Sequence, residues 1–150
     1  MRLTRGLRGR REYALEGVGM LCVTGRSSRT ATVRARGLTW QITRCGVLQP
    51  IIQVADATGD IVGTFRGRRL RRGGRLAWSD RELALQAEGR CPTRYVLFNG
   101  DRRLATIEGK RWDEQSVDII DDEQAQLDPE VLLFAAFVVG TLAPSARRAP

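Results

Sequence analysis

The chain has 150 residues, of which 42% are hydrophobic and 28% are charged, and its formal net charge at pH 7 is +8. This length suits one domain, and the apolar content excludes wholesale disorder. The sequence contains no histidine, so it lacks the usual general base near neutral pH and the most frequent metal ligand. We therefore expect a protein that is not an enzyme and that holds neither a metal nor a cofactor.

The first residues, MRLTRGLRGRR, are strongly basic and contain no acidic side chain. We predict a flexible basic arm over residues 1–11, one domain over residues 12–144 and a short tail over residues 145–150. No apolar segment follows the basic residues, so a secretory signal peptide is not indicated. A cytoplasmic protein, with peripheral association at a membrane as an option, is the expectation.

Three cysteines, Cys22, Cys45 and Cys91, lie far apart in the sequence. Their odd number and wide spacing indicate neither a disulfide framework nor a zinc site. We predict that they are buried thiols.

Between about residues 13 and 120, short apolar or alternating runs are interrupted by turn residues, a pattern typical of antiparallel strands. Turns are predicted at Asp56–Asp60, Gly73–Gly74, Ser79–Asp80 and Asn99–Gly100. The alternation predicts one buried side for Leu38, Trp40 and Ile42, and another for Leu83, Leu85 and Ala87. The tryptophans Trp40, Trp78 and Trp112 are expected to pack inside the protein.

The segment LDPEVLLFAAFVVGTLAP predicts a buried helix over about residues 129–143. Asp128 is a candidate N-cap, and Pro129 suits the first helical position. The helix is apolar all round, so it must be surrounded by protein or by lipid. Fifteen residues span about 22 Å, less than the roughly 30 Å of a bilayer core. A core helix is favoured, and a membrane anchor flanked by Arg147 and Arg148 remains the alternative.

A helix that is apolar on every side cannot be covered by one flat sheet. We therefore predict a mainly β fold, a closed antiparallel β-barrel that encloses the C-terminal hydrophobic α-helix and leaves no strand edge free.

Four segments carry a resemblance to a known family: VADATGDIVGTF, GGRLAWSDRELALQ, VLFNGDRRLATIEG and LDPEVLLFAAFVVGTLA. They resemble the tubby C-terminal-like superfamily, in particular its LURP-one-related branch, with phospholipid scramblases as further relatives. The resemblance implies a twelve-stranded barrel threaded by a central helix, and it implies phosphoinositide binding or action at membranes. The lysine and arginine lipid-binding pair, the acylated cysteine run and the calcium loop of such proteins have no counterpart here.

The segment FRGRRLRRGGR concentrates arginines around a predicted hairpin. Arginine matches phosphate with two parallel hydrogen bonds, so the cluster could bind anionic lipid or nucleic acid, and a solvated hairpin is the alternative. Aromatic residues, which single-stranded nucleic acid usually requires, are scarce here. The candidate binding residues are Arg66, Arg68, Arg69, Arg71, Arg72 and Arg75.

Acidic residues concentrate instead in residues 113–123, where six carboxylates stand in one short stretch. Their spacing differs from that of a calcium-binding loop, so we interpret them as a charged loop. The preferred hypothesis is thus a domain that binds anionic phospholipid headgroups or an acidic protein through its arginines. The alternative is a scaffold or small-ligand barrel in which the arginines only confer solubility. The oligomeric state is not predicted.

Overall fold

The computed structural model describes residues 2–5, 12–15, 19–24, 30–45, 49–67, 73–88, 94–109, 116–121 and 127–142. Within these ranges the chain forms twelve β-strands and one α-helix. The strands are β1 (Arg2–Arg5), β2 (Glu12–Leu15), β3 (Gly19–Thr24), β4 (Thr30–Ala35), β5 (Leu38–Cys45), β6 (Ile51–Ala55), β7 (Ile61–Gly67), β8 (Gly73–Trp78), β9 (Arg81–Ala87), β10 (Arg94–Asn99), β11 (Arg102–Gly109) and β12 (Ser116–Asp121). The helix α1 is Pro129–Leu142, so the predictions of a mainly β chain and of a C-terminal helix are confirmed.

The strands form one antiparallel sheet, in which every strand from β2 to β11 pairs with the next one along the chain. The first strand, β1, pairs with β2 and with β12. The predicted basic arm is therefore wrong for Arg2–Arg5, and residues 6–11 lie outside the described residues. The physical reason is that the backbone groups at the edges of β2 and β12 need hydrogen-bond partners, which a basic segment can provide as well as any other.

In strands such as β4, β5 and β7, side chains alternate between a buried inner face and a more exposed outer face, as expected for strands. In β5, Trp40 is 7% exposed and Ile42 is fully buried. Leu38 was predicted to share their buried side, but it is 59% exposed. It follows directly after the turn between β4 and β5, at the end of the hairpin, where the core no longer covers it.

The turn predictions are confirmed at Ser79–Asp80, which joins β8 to β9, and at Gly59 and Gly100, which have the positive φ that a tight turn needs. The prediction fails at Gly73–Gly74, which begin strand β8 and pair with β9. Gly73 has a φ of 109°, and a Cβ atom there would lie 2.1 Å from the carbonyl oxygen of Leu85. Glycine is required at this position by a close backbone approach.

The helix α1 supplies the centre of the core. Its residues from Glu130 to Gly140 are all buried, and it contacts β3, β4, β8, β11 and β12. The ring of Trp78 lies 5.9 Å from that of Phe134, and Trp40 packs edge-on against Trp78 at 6.2 Å. The predicted packing of these two tryptophans is confirmed, and Trp112 lies outside the described residues.

The cysteine prediction is wrong for Cys45, which is exposed at the end of β5, and Cys22 is only half-buried. Cys22 stands between the buried residues Leu21 and Val23, so strand alternation places its thiol on the outer face. Cys45 is three residues beyond the buried Ile42, which places it on the outer face of β5 as well. Cys91 lies outside the described residues.

An ion pair lies at the start of α1. Arg36 and Gly37 form the turn between β4 and β5, and both have positive φ, the pattern of a type I′ turn. Nη2 of Arg36 donates to Oδ1 of Asp128 at 2.7 Å and lies 3.5 Å from Oε2 of Glu130. Asp128 occupies the predicted N-cap position, where its carbonyl oxygen accepts from the N–H groups of Val131 and Leu132. Its carboxylate binds Arg36.

Candidate anion-binding site

The predicted arginine cluster is described at its two ends only. Arg66 lies near the end of β7, and Arg75 lies in β8. The other four arginines, Arg68, Arg69, Arg71 and Arg72, lie outside the described residues. Arg66 and Arg75 are direct cross-strand partners, so the structure brings together two residues that are nine positions apart in the sequence.

Strand alternation places both arginines on the outer face. Phe65 in β7 and Leu76 in β8 are fully buried partners in the core. The residues that follow Phe65 and precede Leu76 therefore face away from the core, and Arg66 and Arg75 are both exposed. Like charges that stand directly opposite each other on a sheet repel. The pair therefore gains from any anion held between or beside the two side chains.

One of the two arginines already has such an anion. Nη1 of Arg75 donates to Oε1 of Glu82 in β9 at 3.1 Å. The side chains of Arg75 and Glu82 are 71% and 66% exposed, so water screens this pair. Among the described residues, Arg66 has no carboxylate within ion-pair distance.

The two arginines line an open groove of about 520 Å³ on the outer face. The other lining residues are Gln49, Thr64, Gly67, Ala77 and Glu82. The groove thus combines two guanidinium groups, one carboxylate, one hydroxyl and one amide on a surface of small side chains.

The wall of this groove is built by the segment that precedes β6. Nε2 of Gln49 donates to the carbonyl oxygen of Gly67 at 2.6 Å, and the N–H of Gly67 donates to the carbonyl oxygen of Pro50 at 2.8 Å. A Cβ atom on Gly67 would lie 2.6 Å from Cγ of Pro50. Because Gly67 has no side chain, residues 49–50 can lie against β7. The hydrogen bond from Gln49 to the Gly67 carbonyl then holds the Gln49 amide at the groove.

Sequence reasoning found the arginines and missed Gln49, Thr64 and Glu82. The position of Glu82 could have been inferred from the predicted turn at Ser79–Asp80, since a hairpin there brings the residues on either side of it together. Gln49 carried no such signal, because its place depends on how a segment outside the strands folds back on β7.

The predicted acidic loop contributes nothing to this groove within the described residues. Asp113, Glu114, Asp122 and Glu123 lie outside those residues, while Asp118 and Asp121 belong to β12. The prediction of a charged loop is therefore wrong for these last two residues, which form part of a strand.

Comparisons of the chain with protein-family models, with curated proteins and with solved structures gave no match. In the described part of the chain, no helix has both the length and the apolar character needed to cross a bilayer.

Proposed function

We propose that this chain is a binding domain, with no catalytic role, that attaches to anionic phospholipid headgroups through the outer face of β7 and β8. The attachment is peripheral and electrostatic. The groove lined by Arg66 and Arg75 is its described part, and the arginines at positions 68, 69, 71 and 72 extend the same basic segment in the sequence.

The observation that carries this proposal is the pairing of Arg66 with Arg75. The two exposed guanidinium groups stand on adjacent strands, and within the described residues only Arg75 has a carboxylate partner. An arrangement of this kind costs some stability in the free protein, because like charges are held together. A ligand phosphate removes that cost by accepting hydrogen bonds from both side chains.

We also propose that the sheet closes into a barrel around α1. Support comes from β1, which has backbone partners on both sides, since Leu3 lies opposite Leu15 and opposite Val117. The burial of α1 over its whole circumference is further support, because a flat sheet would leave one side of the helix in water. In a barrel of this kind the inner face is filled, so ligands meet the outer face and the loops.

Vesicle co-sedimentation tests the proposed function. Wild-type protein is mixed with vesicles of phosphatidylcholine alone and with vesicles that contain phosphatidylserine as well. We expect binding only to the anionic vesicles, and we expect it to weaken as salt is added, because exposed charges are screened.

The double variant Arg66→Ser with Arg75→Ser should bind the anionic vesicles less tightly than the wild type. The matched control is Arg34→Ser with Arg81→Ser, which removes the same charge from exposed positions in β4 and β9. Equal loss in the two double variants would mean that only net charge matters. Absence of binding by the wild type would refute the proposed function altogether.

A further inference from the structure

The charges in the groove do not balance. The lining residues of the groove include two arginines and one glutamate, so the groove carries one net positive charge within the described residues. Glu82 stands opposite Ala77 in the sheet, diagonal to Arg75 on the same outer face. From there its carboxylate reaches Arg75 and occupies part of the hydrogen-bonding edge that an external anion would use.

The donors around the groove suit an anion with several oxygens. Thr64 lies two residues before Arg66, on the same face of β7, and offers a hydroxyl group. The Gln49 amide has two N–H groups, one of which donates to Gly67. Together with the two arginines, these groups can donate from more than one side, which a tetrahedral phosphate accepts better than a planar carboxylate does.

We propose that Glu82 is a built-in competitor for this site. The ligand group is a phosphate that sits between Arg66 and Arg75, and it must displace the Glu82 carboxylate to obtain the full hydrogen-bonding capacity of Arg75. Because of this competition, the protein binds only weakly to surfaces that carry few phosphate groups. Tight binding requires a surface on which phosphate groups are dense. This inference rests on the proposed function, since it assigns the group recognised at the same face.

The size of the effect follows from the exposure of the pair. Surface ion pairs of this kind change an equilibrium by a factor of about 1.4 to 5. Glu82→Gln keeps the shape of the side chain and removes its charge, so we expect its affinity for phosphate-bearing vesicles to rise by a factor of about 1.4 to 5.

The control for total charge is Glu108→Gln. Glu108 in β11 is also exposed and also bound to an arginine, Arg94, at 3.1 Å, so this variant changes the net charge by the same amount at another place. Glu82→Asp supplies a second control, because it keeps the charge and shortens the reach toward Arg75. We expect it to bind more tightly than the wild type and less tightly than Glu82→Gln.

The measurement is binding to phosphatidylcholine vesicles that contain phosphatidic acid, in a buffer free of phosphate. Inorganic phosphate is then added as a competitor, with chloride at the same ionic strength as the comparison. Displacement by phosphate beyond that by chloride shows that the site takes the phosphate group itself. Equal displacement by the two salts would overturn the assignment of phosphate. If phosphate displaces the wild type from the vesicles more than chloride does, and Arg66→Ser shows no such difference, the bound phosphate lies in the groove.

The two proposals fail in different ways. If the wild type binds no anionic vesicle, the proposed function is wrong. If the wild type binds and Arg66→Ser weakens binding, but Glu82→Gln gains no more than Glu108→Gln, the function stands and the competitor role of Glu82 is wrong.

Discussion

The helix α1 and the outer face of β7 and β8 lie on opposite sides of one sheet. Side chains of α1 are buried in the core, whereas the arginines of the outer face are exposed to solvent. Phe134 is fully buried and packs on Trp78, so it stabilises the fold by removing apolar surface from water. Arg66 is exposed and has no carboxylate partner within the described residues. Substitutions in α1 should therefore change stability, whereas substitutions on the outer face of β7 and β8 should change binding.

The largest expected effect is on the inner side. Phe134→Ala removes a fully buried ring from the middle of the core, and we expect the free energy of unfolding to fall by about 3–5 kcal/mol. Urea denaturation followed by circular dichroism measures this loss. Protein that remains folded should bind anionic vesicles as the wild type does. A loss below about 1 kcal/mol would contradict the packing of α1 against β8.

Gly67→Ala is the substitution that links the two regions. Its Cβ atom would lie 2.6 Å from Cγ of Pro50, and we expect a cost of about 1–3 kcal/mol from overpacking. Residues 49–50 must move outward, so vesicle binding should weaken as well. Gln49→Ala is the comparison variant, since it removes the amide at the groove without overpacking. Unchanged binding in both variants would show that the segment before β6 is not part of the site.

Replacement of Arg36, in the turn between β4 and β5, should lower stability more than replacement of Arg66 in β7. The hydrogen bond to Asp128, and next the charge of Glu130, raise the pKa of Arg36 above its ordinary value, which shows that the fold favours its charge. Arg36→Ala leaves the buried Glu130 carboxylate without its cation and should lower the melting temperature. Arg36→Gly should lower it less, because glycine accepts the positive φ at this turn.

Arg66→Ala is the control for this pair, and it should change stability by less than about 0.5 kcal/mol, as surface substitutions usually do. Differential scanning calorimetry compares the three variants. Equal melting temperatures for Arg36→Ala and Arg66→Ala would mean that both arginines belong to the solvated surface.

The smallest expected effect is a pH dependence in the loop between β6 and β7. Hydrogen bonds from Thr58, and further ones from the backbone of this loop, hold the pKa of Asp56 below its ordinary value of 3.8. A carboxyl group whose pKa is lowered by folding stabilises the protein above its unfolded pKa, and this contribution is lost as the pH falls through the folded value. Melting temperatures of the wild type and of Asp56→Asn should therefore differ at pH 6 and converge at pH values below about 3.8. Asp101→Asn, in the loop between β10 and β11, serves as the comparison.

The sequence predicted the parts of this protein that local rules control. Asp128-Pro129 and the apolar run after it gave the helix to within one residue, because the helix start and its lack of a polar face are both visible in the chain. The turns at Gly59 and Gly100 followed from the need for positive φ. Predictions failed where distant backbone partners decide the outcome, as at Arg2–Arg5 and at Gly73–Gly74.

By itself the sequence determined that a wholly apolar helix must be buried, and that arginines are concentrated between Arg66 and Arg75. Only the folded sheet shows that the two described arginines of this set, Arg66 and Arg75, are cross-strand partners and that Arg75 has a carboxylate partner. Strand register sets Arg66 opposite Arg75, and a hairpin and a folded-back segment bring Glu82 and Gln49 to the same groove. Burial depends on the composition of a segment, whereas a binding site depends on contacts between segments, and such contacts exist only once the sheet has formed.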